Sequence, residues 1–252
     1  MPRTPERHSI EISEEAGVRF LHFGSEWVQG AMRLRKPLAL ELEYTRDMLA
    51  CLLWRDWTDW PRDVLLIGLG AGSLLKFLHS NLPRARLHVV EIDSRMPAFA
   101  EMHFRVPHDP VRISIDIAEG SGFVRETPRA FDLILVDGFD HRARVGALDS
   151  VAFYRNCRAR LNSGGVMATN LFGNRRGFAA ALRRVEAGFA GNTFVLPAGE
   201  MGNVIAFGFE SDANAIALDD LRARARLLHD ETGLNLRPTL KRMAASGMFP
   251  GG

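Results

Sequence analysis

The most constraining feature of this sequence is an apolar run that ends in a glycine-rich turn, LLIGLGAGS at residues 65–73. A second apolar run follows about 20 residues later and ends in an acidic pair, Glu91 and Asp93. Glycines let a backbone pass close to a ligand at the mouth of a turn, and an acid at the tip of the next strand lies where a ribose presents its hydroxyls. The pattern therefore predicts the first half of a nucleotide-binding α/β unit.

Strand-like and helix-like segments alternate along the rest of the chain. We predict strands at 64–68, 87–91, 111–115, 131–136 and 166–171, and helices at 73–80, 95–104, 120–126, 151–161 and 178–189. Near-continuous apolar strands separated by helices predict a parallel sheet covered on both faces. The last two strand-like runs, 193–196 and 203–209, are joined by a connection too short for a crossover helix, so we expect them to pair antiparallel.

A mostly parallel sheet with a late antiparallel hairpin is typical of the Rossmann-like class I methyltransferase fold. We assign this α/β domain to residues 59–252. Residues 1–58 are predicted to form a small β/α appendage packed on it, with a hairpin at 10–13 and 18–23 and a helix over 41–55. A further helix is predicted at 218–229 near the C-terminus.

Composition excludes several functional classes. The net charge of +2 is too small to indicate nucleic-acid binding. No segment approaches the roughly 18 apolar residues of a membrane span, and the N-terminus lacks a signal-peptide core, so we expect a cytoplasmic protein with no membrane partner. No Cys/His cluster has metal-ligand spacing, so we expect no metal, and Cys51 and Cys157 should be buried reduced thiols.

Acidic residues follow each of the next three predicted strands. Glu91, Asp116 with the Glu119-Gly120 pair, and the segment from Asp137 to Asp140 all come at carboxyl ends. Ligands bind outside the carboxyl ends of the strands in such sheets. A single carboxylate there often only caps the next helix, but several on one edge predict a ligand site.

The pair Asp137 and Asp140 suggests amine chemistry. An alkylamine has a free pKa of about 10 and is protonated near neutral pH. It must lose a proton before it can attack carbon, and a carboxylate within hydrogen-bond reach is a suitable base. The alternative interpretation is a turn stabilised by hydrogen bonds from the aspartate side chains.

Together these motifs resemble the spermidine synthase (polyamine aminopropyltransferase) family, whose members have an S-adenosylmethionine-dependent methyltransferase fold. The resemblance runs from about residue 28 to residue 209. It rests on the glycine turn and on five further segments: Gln29, ELEY at 41–44, VEID at 90–93, LVDGFD at 135–140 and FYRNCRARL at 153–161.

The resemblance implies an aminopropyl transfer from decarboxylated S-adenosylmethionine to a small amine such as putrescine. It implies that Asp137 is the catalytic base and that Asp140 and Tyr44 hold the amine. For the donor it implies contacts from Gln29 at the thioether end, Glu91 at the ribose, and either Asp116 or Glu119 at the adenine amine. The remaining donor-site residues are Gly68, Gly70, Gly72 and Gly120.

One departure from the family pattern keeps other functions open. The glycine turn usually carries an aspartate that grips the aminopropyl group, and here that position is Ala71. A charge-assisted hydrogen bond contributes roughly 1.5–3 kcal/mol, so the decarboxylated donor should bind less tightly. The alternatives are a methyltransferase that uses S-adenosylmethionine and a non-catalytic nucleoside-binding protein. Dimers are common in the family, and a homodimer is one expectation.

Overall fold

A seven-stranded sheet dominates the computed structural model, which describes residues 9–138, 146–172, 177–199, 202–211 and 216–246. The strands are β1 (Glu11–Glu15), β2 (Val18–His22), β3 (Val28–Arg33), β4 (Asp63–Ile67), β5 (Arg86–Glu91), β6 (Ile113–Ile117), β7 (Phe131–Val136), β8 (Leu161–Phe172), β9 (Thr193–Leu196) and β10 (Asn203–Phe209). The helices are α1 (Glu43–Met48), α2 (Ser73–Asn81), α3 (Met96–Phe104), α4 (Gly120–Glu126), α5 (Val151–Ala159), α6 (Phe178–Gly188), α7 (Leu218–Thr232) and α8 (Arg237–Ala245).

The large sheet has the order β6-β5-β4-β7-β8-β10-β9. Pairing is parallel from β6 to β8 and antiparallel in β8-β10-β9, which confirms the predicted fold class. Apolar side chains cover both faces because β4, β5 and β7 carry buried residues on alternate sides. The chain moves outward from β4 to β5 and β6 and then returns to β7, so a crevice opens between β4 and β7, where ligands bind in such sheets.

The N-terminal region contains more structure than the predicted hairpin. A third strand, β3, extends the β1-β2 pair into a three-stranded antiparallel sheet. The predicted helix over 41–55 divides into α1 and a 3₁₀ helix, Leu49–Trp54, whose six residues are all buried. Trp54 packs against three rings of β9 and β10, at 5.3–5.6 Å between centroids: Phe194, Phe207 and Phe209. The segment therefore lacks the solvent-facing polar side that an amphipathic helix over 41–55 would have.

Several boundaries differ from the sequence-based prediction, and the largest difference is in β8, which begins at Leu161, five residues before its predicted start. Strand β6 begins two residues late, because Asp109 accepts hydrogen bonds from the amides of Val111 and Arg112 and holds them in a turn. Helix α8 follows α7 where no element was predicted. Pro238 occupies its first turn, a position that tolerates proline, and its buried face includes Leu240 and Met243.

Both cysteines are free thiols in the core, as predicted. Burial raises the pKa of the Cys51 and Cys157 thiols. Within the described ranges, the helices are too short or too polar to cross a bilayer.

Candidate active site

The glycine turn lies at the crevice between β4 and β7. Gly68, Gly70 and Gly72 all have positive φ angles, of 94°, 49° and 66°. A Cβ atom added to Gly68 would lie 2.4 Å from the carbonyl oxygen of Asp137, so any larger residue would separate β4 from the end of β7. The turn therefore needs glycine both for its backbone conformation and for close approach to Asp137.

Strand β3 of the small sheet crosses the outside of this turn. A Cβ atom on Gly30 would lie 2.6 Å from the Cβ of Ala71, and one on Gly70 would lie 3.6 Å from the carbonyl oxygen of Gln29. The Ser73 hydroxyl donates a hydrogen bond of 3.2 Å to the carbonyl of Ala31. Gln29 is thus brought to the turn, as its sequence-based assignment requires, and Ala71 is buried beneath the backbone of β3.

Glu91 ends β5 beside the turn and is 7% exposed. Its two carboxylate oxygens accept hydrogen bonds of 2.9 Å from the backbone amides of Leu69 and Asp93. Burial raises the pKa of Glu91, while these amide bonds oppose the rise. The carboxylate is therefore held in one orientation at the mouth of the turn, with each oxygen keeping acceptor capacity.

The two candidates for the adenine contact occupy different positions. Asp116 lies inside β6, paired with Val90, and its side chain is exposed. Glu119 precedes α4 and caps it, accepting hydrogen bonds of 2.9 Å from the amide of Ser121 and 2.7 Å from that of Gly122. A Cβ on Gly120 would lie 2.6 Å from Ile67, so this glycine lets α4 pack closely on the end of β4.

Asp137 follows β7 and accepts hydrogen bonds at both carboxylate oxygens. Tyr44 of α1 donates to Oδ2 at 3.0 Å, and Asn170 of β8 donates to Oδ1 at 3.0 Å. Burial raises the pKa of Asp137, and the two donors offset part of the rise. Burial also raises the pKa of Tyr44, with the Asp137 charge as a further cause, so the phenol stays a donor.

Asn170 and its partner Asn203 were not predicted from the sequence. The Nδ2 of Asn203 donates a hydrogen bond of 2.9 Å to Oδ1 of Asn170. Asn170 is only 3% exposed and lies in the apolar run of β8. A polar residue in an otherwise buried strand was the available signal, because such a group needs partners.

Two exposed isoleucines were also missed. Ile92, immediately after Glu91, is 65% exposed, and Ile117 at the end of the neighbouring strand is 50% exposed. Ala118 donates a backbone hydrogen bond to the carbonyl of Glu91, so these strand ends are adjacent. Apolar side chains at the edge of a nucleoside site can cover the face of a purine ring.

Asp140, the second predicted amine contact, lies outside the described residues. Among the residues that are described, no group of three or more His, Cys, Asp or Glu side chains could hold a metal ion. The crevice therefore brings together the glycine turn, Glu91, Asp137 and Tyr44, with Gln29 at the turn and Glu119 on the next loop.

Comparisons with known proteins agree with this arrangement. The spermine/spermidine synthase domain family matches residues 45–173. The polyamine aminopropyltransferase of Neisseria meningitidis serogroup A is 34% identical over 94% of this chain and 89% of that protein. That of Chromobacterium violaceum is 36% identical over 93% of this chain and 88% of that protein. The crystal structure of a probable spermidine synthase from Corynebacterium glutamicum shares the fold, with a TM-score of 0.72 and 21% identity over 97% of this chain and 92% of that chain.

Proposed function

Because the chain belongs to the spermine/spermidine synthase family, we propose that it transfers the aminopropyl group of decarboxylated S-adenosylmethionine to a small amine such as putrescine. The observation that carries the proposal is the Asp137 carboxylate held between Tyr44 and Asn170 beside the glycine turn. Its position across the crevice from Glu91 suits a reaction between a nucleoside-linked donor and an amine.

In this proposal Glu91 binds the ribose hydroxyls. Its oxygens already accept two amide hydrogens and can accept a hydroxyl hydrogen as well. Gln29 contacts the thioether end of the donor, and the glycine turn supports the same region. Ile92 covers the adenine. Glu119, at the start of α4, meets the adenine amine in preference to Asp116, which lies within β6.

Asp137 is the general base. The acceptor enters as an ammonium ion and transfers one proton to the carboxylate, which frees the nitrogen lone pair. The new N–C bond forms as the C–S bond of the sulfonium donor breaks, and the electron pair of that bond stays on sulfur. The leaving group is then a neutral thioether. Burial, which raises the pKa of Asp137, strengthens its affinity for the proton.

Tyr44 and Asp140 complete the amine site in this proposal. The phenol oxygen of Tyr44 donates to Asp137, so its lone pairs remain available to an ammonium hydrogen. Reaction then depends mainly on aligning the amine, the carbon and the leaving sulfur. The absence of nucleic-acid partners, metal independence, a cytoplasmic location and a homodimer stay predictions.

The proposal is tested by incubating the protein with decarboxylated S-adenosylmethionine and putrescine. Mass spectrometry then detects the polyamine product and the nucleoside thioether. We expect both products, and we expect Asp137→Asn to lower kcat by about 100-fold or more. Asp220→Asn, which changes an exposed carboxylate of α7, is the matched control. Undiminished turnover by Asp137→Asn would exclude the proposed base, and nucleoside binding without turnover would favour the non-catalytic interpretation.

A second candidate function is methyl transfer from S-adenosylmethionine, which the presence of Ala71 favours. An aspartate there would repel the carboxylate of that donor, and alanine does not. Calorimetric titration with both donors separates the two functions. Tighter binding of the decarboxylated donor supports aminopropyl transfer, and tighter binding of S-adenosylmethionine supports methyl transfer.

A further inference from the structure

A chain of side-chain hydrogen bonds extends from β10 to the proposed base. Asn203 donates to Oδ1 of Asn170 at 2.9 Å, and Asn170 donates to Oδ1 of Asp137 at 3.0 Å. Strands β8 and β10 pair so that Ile205 lies opposite Asn170. Asn203, two residues away, is then a diagonal neighbour of Asn170 on the same face of the sheet.

The direction of these hydrogen bonds follows from the chemistry of the amide group. An asparagine side chain has an acceptor end and a donor end. Because Asn203 donates to the oxygen of Asn170, the nitrogen of Asn170 must face Asp137. If Asn170 turned over, its oxygen would face the carboxylate, and two acceptors would meet in a nearly buried site.

We propose that Asn203 is a positioning residue that, acting through Asn170, keeps the Asp137 carboxylate ionised and in one orientation for proton transfer. This inference rests on the proposed role of Asp137 as base. A hydrogen bond donated to a carboxylate favours its charged form, so losing the oriented donor should make protonation easier.

Among the described residues, few charged or titratable groups besides Tyr44 lie against the Asp137 carboxylate. Of the elements around the carboxylate, α1 contributes Tyr44, which is titratable, and β8 contributes the neutral Asn170. The turn after β4 presents the backbone of Gly68, and Leu148 packs against Gly138. Tyr44 stays a neutral donor over the working range, because burial raises its pKa.

A merely structural role for Asn203 would have a different consequence. Strands β8 and β10 are already joined by a backbone ladder of seven residue pairs, from Asn203 opposite Phe172 to Phe209 opposite Val166. One side-chain hydrogen bond adds little to that ladder. We therefore expect Asn203→Leu to fold, with a melting temperature only modestly below that of the parent because the buried side-chain oxygen of Asn170 loses its donor.

The experiment compares the parent with Asn203→Leu and Asn203→Asp. The leucine variant removes the donor at similar size. The aspartate variant offers only acceptors and adds a negative charge, so it draws the nitrogen of Asn170 away from Asp137 and itself disfavours ionisation of Asp137. Asn162→Leu is the matched control, because Asn162 also donates to a carboxylate, that of Asp132 at 2.8 Å, at the opposite end of β8.

The first measurement is the pH profile of kcat/KM with decarboxylated S-adenosylmethionine and putrescine. We expect the acidic limb to move up by about one pH unit in Asn203→Leu and further in Asn203→Asp, with a similar plateau at high pH. Structural damage would instead lower kcat/KM at every pH. An unmoved acidic limb in both variants, or an equal shift in Asn162→Leu, would overturn the inference.

The second measurement needs no turnover. The Asp137 carboxyl is titrated by carbon-detected NMR, with its signal assigned from Asp137→Asn. A higher midpoint in Asn203→Leu supports the role of Asn203 even if the parent transfers no aminopropyl group, in which case only the proposed function fails. An unchanged midpoint in both Asn203 variants overturns the inference while leaving the proposed function intact.

Discussion

The Tyr44 hydroxyl donates a hydrogen bond of 3.0 Å to Oδ2 of Asp137 and so connects α1 to the carboxyl end of β7. Helix α1 has two anchors of its own. The 3₁₀ helix that follows it inserts Trp54 among the rings of β9 and β10, and Arg242 of α8 forms ion pairs with Glu43 and Asp47. The position of Tyr44 thus depends on the antiparallel edge of the sheet and on the C-terminal helix.

Replacing the phenol tests this connection. Tyr44→Phe removes one of two donors to Asp137, so it should ease protonation of the carboxylate and move the acidic limb of kcat/KM to higher pH. Near neutral pH we expect kcat/KM to fall roughly tenfold, a loss that corresponds to removing one hydrogen bond to a charged group. Tyr154→Phe is the control, since it changes the only other tyrosine of the chain. Equal profiles for both variants would contradict the proposed contact.

Local pattern was sufficient to predict that the central residues of the candidate site lie at one edge of the sheet. The glycine turn, Glu91 and Asp137 each follow a buried apolar strand, and parallel strands bring their carboxyl ends to one edge. The boundaries of β7, β9 and β10 were predicted correctly because each is a short apolar run between clear turn residues.

The features of the fold and of the candidate site that were not predicted depend on tertiary packing. The contact of Gly30 with Ala71 joins two sheets, and no local pattern encodes it. The pairing of Asn170 with Asn203 requires the register of β8 against β10, which sequence spacing does not specify. The proposed preference for Glu119 over Asp116 also rests on where β6 ends, which local pattern did not predict.

The residue at position 71 should control the choice of donor. Ala71→Asp adds a carboxylate at the glycine turn. It should therefore raise the affinity for decarboxylated S-adenosylmethionine by about 10- to 100-fold and lower the affinity for S-adenosylmethionine. Ala71→Asn has nearly the same size without the charge, and it controls for crowding against Gly30. Calorimetry with both donors measures the effect. If the two variants bind the donors alike, charge at this position does not determine donor choice.

Because Lys76 is buried, the free energy of unfolding should be larger at alkaline pH than at neutral pH. It is 1% exposed, and its ammonium donates a hydrogen bond of 2.8 Å to the carbonyl of Phe104. Burial lowers its pKa from 10.5 to about 8. Between those values the unfolded chain still binds a proton that the folded chain has lost, so the free energy of unfolding rises with pH.

The variant Lys76→Met isolates this contribution. The free energy of unfolding of Lys76→Met, taken relative to that of the parent, should fall by roughly 3 kcal/mol between pH 7 and pH 10.5, because only the parent carries the buried lysine. Urea unfolding at several pH values measures the difference. Lys241→Met, at an exposed position of α8, should show no such trend. A constant difference between Lys76→Met and the parent would mean that Lys76 does not lose its proton in this range.

Arg242 should stabilise both the fold and the proposed amine site. It pairs with Asp47, whose side chain is 4% exposed, and with Glu43 at 2.7 Å, next to Tyr44. Burial raises the pKa of Asp47, and Thr239 and Arg242 offset part of that rise. Arg242→Met keeps the apolar stem but leaves the Asp47 carboxylate without its cation, which is costly for a buried charge.

We therefore expect Arg242→Met to lower the free energy of unfolding by roughly 2–4 kcal/mol near neutral pH. Protonation of Asp47 removes the unpaired charge, so the loss should decrease at acidic pH. Arg222→Met breaks an exposed pair with Asp219 and should change stability by less than about 1 kcal/mol. Urea unfolding of the three proteins at neutral and acidic pH measures both effects. Equal losses for Arg242→Met and Arg222→Met would show that the pair with Asp47 does not hold α8 against α1.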